Sequence, residues 1–158
     1  MYKMSEIKIP MSLPLDADGF LRRECPYCKR GFKVFPSDKE DKEKENDIVE
    51  LFCPYCGQSA DKKSWWTEEQ LRYAKEIALK KVLEPELQEF GRNLESMSKG
   101  SFVKVKMERT SFKTPRISED FNDMKFLELP CCNERIKFEE NWKGNLHCII
   151  CGKNIKQT

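Results

Sequence analysis

Eight cysteines and a single histidine make up the metal-ligating chemistry of this 158-residue chain, and the cysteines fall into two clusters. "CPYCKRGFKV" (25–34) and "LFCPYCGQ" (51–58) supply Cys25, Cys28, Cys53 and Cys56. A C-x-x-C turn aims two sulfurs inward, and two such turns close the tetrahedral four-sulfur shell that Zn²⁺ prefers. Between Cys28 and Cys53 lie 24 residues. That is longer than the usual gap of about 15–20, and the charged insert "DKEDKEKEND" (38–47) accounts for the excess. Gly57, directly after the second pair, suits a sharply turning backbone.

"LPCCNERIKF" (129–138) and "HCIICGK" (147–153) supply Cys131, Cys132, Cys148 and Cys151. Set beneath the first cluster they form an internal repeat. Pro130 falls under Pro26, Cys132 under Cys28, Ile136 under Phe32, Lys137 under Lys33 and Phe138 under Val34, while Cys148, Cys151 and Gly152 match Cys53, Cys56 and Gly57. Only one ligand is out of place: Leu129 stands where Cys25 should be, and Cys131 stands at the position of Tyr27. Sulfurs bound to one Zn²⁺ sit about 3.8 Å apart. Neighbouring side chains of an extended strand face opposite ways and cannot meet that distance, whereas those of a tight turn after Pro130 can converge. The reading adopted is a closed site of four cysteines. Replacement of Cys131 by His147, a vicinal Cys131–Cys132 disulfide, and three thiolates with an open fourth position are the alternatives.

The elements that must hold these turns follow from local pattern. Thr67 and Gln70 have the spacing of a capping box, and Trp66 is placed to staple onto Leu71. Leu71, Ala74, Ala78, Val82, Leu87, Phe90, Leu94 and Met97 then recur at mostly three- and four-residue steps, an amphipathic helical stripe over a linker at 65–100. Pro85 kinks that helix or opens a second one, and Gly100 ends the segment. In "FVKVKMER", Val103, Val105 and Met107 alternate with Lys104, Lys106 and Glu108, the period of a half-buried strand; "KFLEL" is a second strand. The fold class expected is therefore small, α+β and metal-stabilised. A ribbon in 1–64 and a second one, with strands, in 101–158 are bridged by the Pro-kinked helix and β-strands.

Composition agrees. Apolar residues are scarce at 39% and charged ones plentiful at 35%, so small modules of this kind lean on metal or disulfides. Lys3, Glu6, Lys8 and two prolines break the apolar start of the chain, so no targeting or membrane segment is read there. The expected compartment is cytoplasmic and reducing, where clustered cysteines favour metal. The formal net charge is only +2; the insert 38–47 carries six acidic and three basic residues and is read as a solvated loop.

Both clusters resemble zinc ribbons of the rubredoxin-like and transcription-factor type, over residues 20–60 and 126–156. The resemblance implies two β-hairpin knuckles around each Zn²⁺, hence two ions, and no single function. Enzyme readings find little support. C-P-Y-C is also the motif of glutaredoxin-like enzymes, but there it occurs once and at a helix N-terminus. There is no H-x-E partner for a zinc deaminase, no H-E-x-x-H, no Walker loop and no G-x-S-x-G, and one histidine leaves few acid–base schemes. The expectation is a non-enzymatic accessory factor with no catalytic residue, no small-molecule substrate and no membrane partner. It contacts nucleic acid through Arg22, Arg23, Lys29, Arg30 and Lys33 near the first knuckle and Lys104 and Lys106 on the middle strand, with Tyr27, Phe32 and Tyr55 available for stacking. The alternative is an adaptor for a larger protein partner, its ribbons purely structural.

Overall fold

A computed structural model of the chain describes residues 9–36 and 50–157; the charged insert 38–47 and its reading as a loop lie outside them. The chain divides into two compact units, Leu13–Glu68 with Ser118–Thr158, and Met1–Ser12 with Glu69–Ile117.

The first unit is built from the repeat. Each "GFKV"- or "RIKF"-like segment follows a cysteine turn and alternates side chains across a strand. In the first half, strand β1 (Leu21–Glu24) and strand β2 (Gly31–Val34) flank the Cys25–Cys28 turn as an antiparallel hairpin. Strand β3 (Glu50–Phe52) and strand β4 (Ser59–Asp61) flank Cys53 and Cys56. The second half repeats this with β5 (Met124–Leu129), β6 (Glu134–Glu139), β7 (Leu146–His147) and β8 (Asn154–Ile155). The two larger hairpins are not separate beads. They join edge to edge through β2 and β6 into one four-stranded antiparallel sheet, β1-β2-β6-β5.

The joining register is specific. Lys33 pairs with Lys137, its own equivalent in the repeat, and Val34 pairs with Ile136. A local pseudo-twofold axis therefore passes between the two lysines. One sheet face carries Phe32, Leu129, Ile136 and Phe138, which pack with Trp65, Tyr55, Leu146 and Ile149 into one shared core. Trp65 is wholly buried, edge-on to Phe32 at 5.6 Å, and its indole N–H donates to the Ala60 carbonyl at 3.3 Å. Trp65 thus packs on the first half of the repeat.

The opposite face carries the two lysines, and burial of adjacent ammonium groups demands counter-charge. Asp16 provides it. One carboxylate oxygen accepts from Lys137 at 2.8 Å and from Lys33 at 3.1 Å; the other accepts from the N–H groups of Phe20 and Asp18 at 2.9 and 3.0 Å. Gly19, at φ +85°, closes the turn that makes this possible. Asp18 and Asn122 complete the shell of Lys137 at 2.6 Å each, and Asp120, Asp123 and the Phe121 carbonyl that of Lys33.

In the second unit, helix α1 (Glu68–Ala78) begins directly after Thr67 and passes through a π-helical turn at Leu79–Leu83 into helix α2 (Glu84–Ser98). The Glu84 N–H reaches back five residues to Leu79 O, and Pro85, which has no N–H to give, follows in the first turn of α2. The extra residue in the π turn rotates the helix face. The buried positions are Gln70, Ile77 and Gly91, while Leu71, Phe90 and Met97 of the expected stripe are exposed.

The strand expected across Val103, Val105 and Met107 does not form. That segment runs back along α2 as an irregular strap, because its N–H groups find helix side chains instead of a partner strand. Val105 donates to Ser98 Oγ at 3.3 Å, Met107 to Glu95 Oε1 at 3.1 Å and Phe112 to Glu84 Oε2 at 3.0 Å, while Lys80 Nζ donates to the Phe112 carbonyl at 3.0 Å. Met107 rests on Gly91, its Cβ and Sδ 3.7 Å from where a Cβ there would stand, an ordinary van der Waals contact.

Burial raises the Asp16 pKa, but hydrogen bonds from Lys137, the Phe20 N–H and Lys33 outweigh it and hold the carboxyl at about 2. A depressed carboxyl adds stability that is complete above the unfolded value near pH 4 and is lost as pH falls towards 2. Asp16→Asn should lower the unfolding free energy by about 3 kcal/mol at pH 7, because two buried ammonium groups lose their shared anion. Urea titration at that pH checks it; a change under about 0.5 kcal/mol would remove the carboxylate from the account of stability.

Candidate metal centres

The turn after β1 is shaped by its backbone before its side chains. Lys29 adopts φ +60° and its N–H donates to Cys25 O at 3.0 Å. In the second half Asn133, at the equivalent position, adopts φ +52° and donates to Leu129 O at 2.9 Å. The two turns therefore share one backbone, and only the side chains differ. In the first, position one bears Cys25. In the second it bears Leu129, wholly buried in the shared core, and the ligand comes from position three as Cys131.

That slipped cysteine still reaches the cluster. Cys25, Cys28, Cys53 and Cys56 bring their sulfurs within 4.8 Å of one another, and so do Cys131, Cys132, Cys148 and Cys151. Cys25 and Cys56 are 3.7 Å apart, Cys28 and Cys53 3.7 Å, and Cys131 and Cys151 3.6 Å. All eight cysteines are free thiols rather than disulfides, and these spacings match the edge of a tetrahedral M–S₄ site, about 3.8 Å for zinc. Both clusters can hold a metal ion. His147 is not among the grouped ligands: its imidazole lies flat against Gly57, with ring atoms 3.0 Å from where a Cβ there would stand.

Crowded sulfurs resist ionising together. Burial, with the neighbouring Cys151 and Cys148 sulfurs, pushes the Cys132 thiol up to about 12; burial likewise pushes Cys53 well up. Cys151 goes the other way, to about 7, chiefly because the Lys153 N–H donates to it. A divalent cation removes the conflict by making every thiolate favourable at once. Four thiolates with no open protein position suit a structural ion.

The centres are also tied to each other. Phe52 N–H donates to Ile149 O at 2.9 Å, and its repeat equivalent His147 donates to Pro54 O, the equivalent of Ile149, at 2.8 Å. The contacts of the glycines are reciprocal too: Gly57 faces His147 and Gly152 faces Phe52, whose ring would lie 2.8 Å from an added Cβ. Tyr55 bridges the halves, donating to Gly31 O at 2.7 Å and accepting from Glu139 N–H at 2.8 Å. Burial holds its phenol protonated.

The residues read as basic surface are placed as follows. Lys33 is fully buried on Asp16. Arg22 is ion-paired to Asp120 at 2.8 Å and to Asp123 at 2.6 Å. Arg30 pairs with Glu139 at 2.7 Å and lies 4.8 Å over the Trp142 ring, and Arg23 lies 5.3 Å over Trp66. Phe32 and Tyr55 are buried, while Tyr27 and Lys29 are exposed at the tip of the turn. Lys104 and Lys106 are exposed on the strap of the other unit. No helix among the described residues is long and apolar enough to cross a membrane. Sequence reasoning passed over Asp16 altogether; its one signal is D-A-D-G, a turn sequence just ahead of a strand.

No family model, no curated protein and no solved structure matches this chain.

Two measurements test the centres. Loss of a direct ligand should exceed the 10–100-fold cost typical of an outer-shell change, so Cys131→Ser should weaken metal binding at the second cluster by more than about 100-fold; unchanged affinity in competition with a chromophoric chelator would take Cys131 out of the ligand set. Gly152→Ala, at φ +71° and against the Phe52 ring, should cost at least about 1 kcal/mol, and Phe52→Ala in the same chain should recover part of that loss in a double-mutant cycle.

Proposed function

We propose that this chain is a non-enzymatic zinc-binding accessory factor, with one Zn²⁺ in each four-cysteine cluster serving structure and with protein docking as its task. The observation that carries the docking reading is the internal use of positive charge. Around the first knuckle Lys33 is buried and Arg22 and Arg30 are held in ion pairs, so little of it is left to attract a polyanion. Four thiolates whose sulfurs lie within 4.8 Å of one another suit Zn²⁺, whose structural sites are tetrahedral and commonly four-cysteine. The same shell speaks against redox catalysis, because zinc-bound thiolates exchange disulfides poorly. For docking, the helical unit exposes Phe90, Met97, Phe102 and Val103, apolar side chains that suit a protein surface.

Nucleic-acid contact is the second reading. Exposed Tyr27 and Lys29 at one turn tip and exposed Lys104 and Lys106 on the strap favour it.

Anisotropy titration against single- and double-stranded oligonucleotides separates the two. On the docking reading, affinity in low salt stays weaker than the ~10⁻⁴ M edge of ordinary non-specific binding. Micromolar binding that falls steeply with added salt, and that Lys104→Glu with Lys106→Glu abolishes, would replace docking by the nucleic-acid reading.

A further inference from the structure

The two centres share a backbone but not a protective environment, and the difference traces to the slipped cysteine. In the first turn the Tyr27 N–H donates to the Cys25 sulfur at 3.4 Å, and in the next knuckle the N–H groups of Tyr55 and Cys56 donate to Cys53 at 3.4 and 3.5 Å. Such donors draw charge from a thiolate and lower its nucleophilicity. The cradle they form is centred on position one of the turn. In the second turn that position is Leu129, so the N–H of position three has no sulfur to meet. Cys131 sits at position three itself and, among the described residues, accepts no backbone hydrogen bond. In the matching later knuckle Ile150 N–H still donates to Cys148 at 3.4 Å.

Exposure follows the same division. Cys25 and Cys53 of the first cluster are buried, while in the second Cys131 and Cys151 are exposed and only Cys148 is buried. An open cavity of about 250 Å³, lined by Pro130, Cys131, Lys153, Asn154 and Ile155, gives access to the Cys131 side of the second cluster. Lys153 places positive charge on its wall. Cys56 of the first cluster is also exposed, but Cys25, 3.7 Å from it, is buried and accepts from the Tyr27 N–H. Cys131 and Cys151, both exposed, lie 3.6 Å apart.

We propose that Cys131 is the reactive thiol of this protein, and that a peroxide oxidises the Cys131–Cys151 pair and expels the ion of the second centre while the first stays loaded. This rests on the reading that both clusters hold zinc. The Cys131 thiolate attacks one peroxide oxygen, forming the S–O bond of a sulfenic acid as the O–O bond breaks and hydroxide leaves. The Cys151 thiolate then attacks that sulfur, forming the disulfide as the S–O bond breaks and a second hydroxide leaves. In sum, two thiolates and one hydrogen peroxide give one disulfide and two hydroxides, the two electrons passing from sulfur to oxygen. Zinc is left with Cys132 and Cys148 alone and departs to solvent or to a chelator.

The test uses the full chain. Native mass spectrometry first counts the ions bound, then follows the protein in hydrogen peroxide, with peptide mapping of the disulfide formed. Two ions at the start should become one at a rate at least roughly tenfold above loss of the last, with a loss of two hydrogens mapped to Cys131 and Cys151. Limiting iodoacetamide on the two-zinc protein should alkylate Cys131 before any other cysteine. Simultaneous loss of both ions, a first disulfide between any other pair, or first alkylation elsewhere would overturn the proposal while leaving the zinc reading intact. A protein that carries fewer than two ions before oxidant is added would instead overturn that reading, and the proposal with it.

Discussion

Two buried lysines stacked across a pseudo-twofold axis set the terms for the ribbon unit. The repeat makes them inevitable once β2 pairs with β6 in this register, since Lys33 and Lys137 are the same position in the two halves. A pair of ammonium groups cannot be withdrawn from water without anions, and the gain from pairing has to exceed a desolvation cost of several kcal/mol per ion. Asp16, Asp18, Asp120 and Asp123 supply those anions from two segments that lie outside both repeats. The segment before β1 and the segment before β5 are thereby fixed onto the sheet. Arg22, joined to Asp120 and Asp123, belongs to the same network.

Fusion of the two hairpins solves the problem of size. A single half of the repeat has too little apolar surface to bury a core of its own. Edge-to-edge pairing covers one exposed edge of each hairpin and lets Phe32, Ile136, Phe138 and Leu129 pack as one layer under Trp65 and Tyr55. The slipped ligand fits this picture. Leu129 at position one adds a buried aliphatic side chain to the shared core, where Cys25 in the first half also reaches the ligand cluster. The sulfur lost there is recovered two residues later by Cys131, on the solvent side of the turn. Core packing and shielding of the sulfurs are thus divided unequally between two turns of similar backbone.

Much of the metal chemistry was legible in the sequence, because a ligand must be a particular residue type and the spacing of the turns is nearly rigid. The repeat and the two groups of four cysteines follow from local pattern, and a tight turn after Pro130 allows Cys131 to converge with Cys132 without requiring it. The union of the halves does not. Nothing in "GFKV" or "RIKF" marks the middle lysine as buried, since the anions that neutralise it come from positions such as Asp16 and Asp120, far away in the chain. His147 had the right chemistry for a ligand, but its place is fixed by a backbone hydrogen bond to Pro54 and by the flat face of Gly57. Alternation in Val103, Val105 and Met107 suggested a strand; period-two patterning reports an extended backbone and not a sheet, and here the partners are Ser98 and Glu95 of a helix.

The helical unit shows how a segment with few apolar contacts can still hold an extended chain. Its strap is held by side-chain acceptors of α2 that take backbone N–H groups, and by Lys80, which gives to a carbonyl. Four such bonds, all part-buried or exposed, each contribute only about 0.5–1.5 kcal/mol net, so the strap is secured by their number and by Met107 on Gly91 more than by any one of them. The π turn lies just ahead of these acceptors. By inserting one residue before Pro85 it shifts the phase of α2 against α1; Ile77 and Gly91 are buried, while Leu71, Phe90 and Met97 are exposed. The strap is thus held by polar side chains of the helix and by Met107 on Gly91, while Phe90 and Met97 of the same helix are left at the surface.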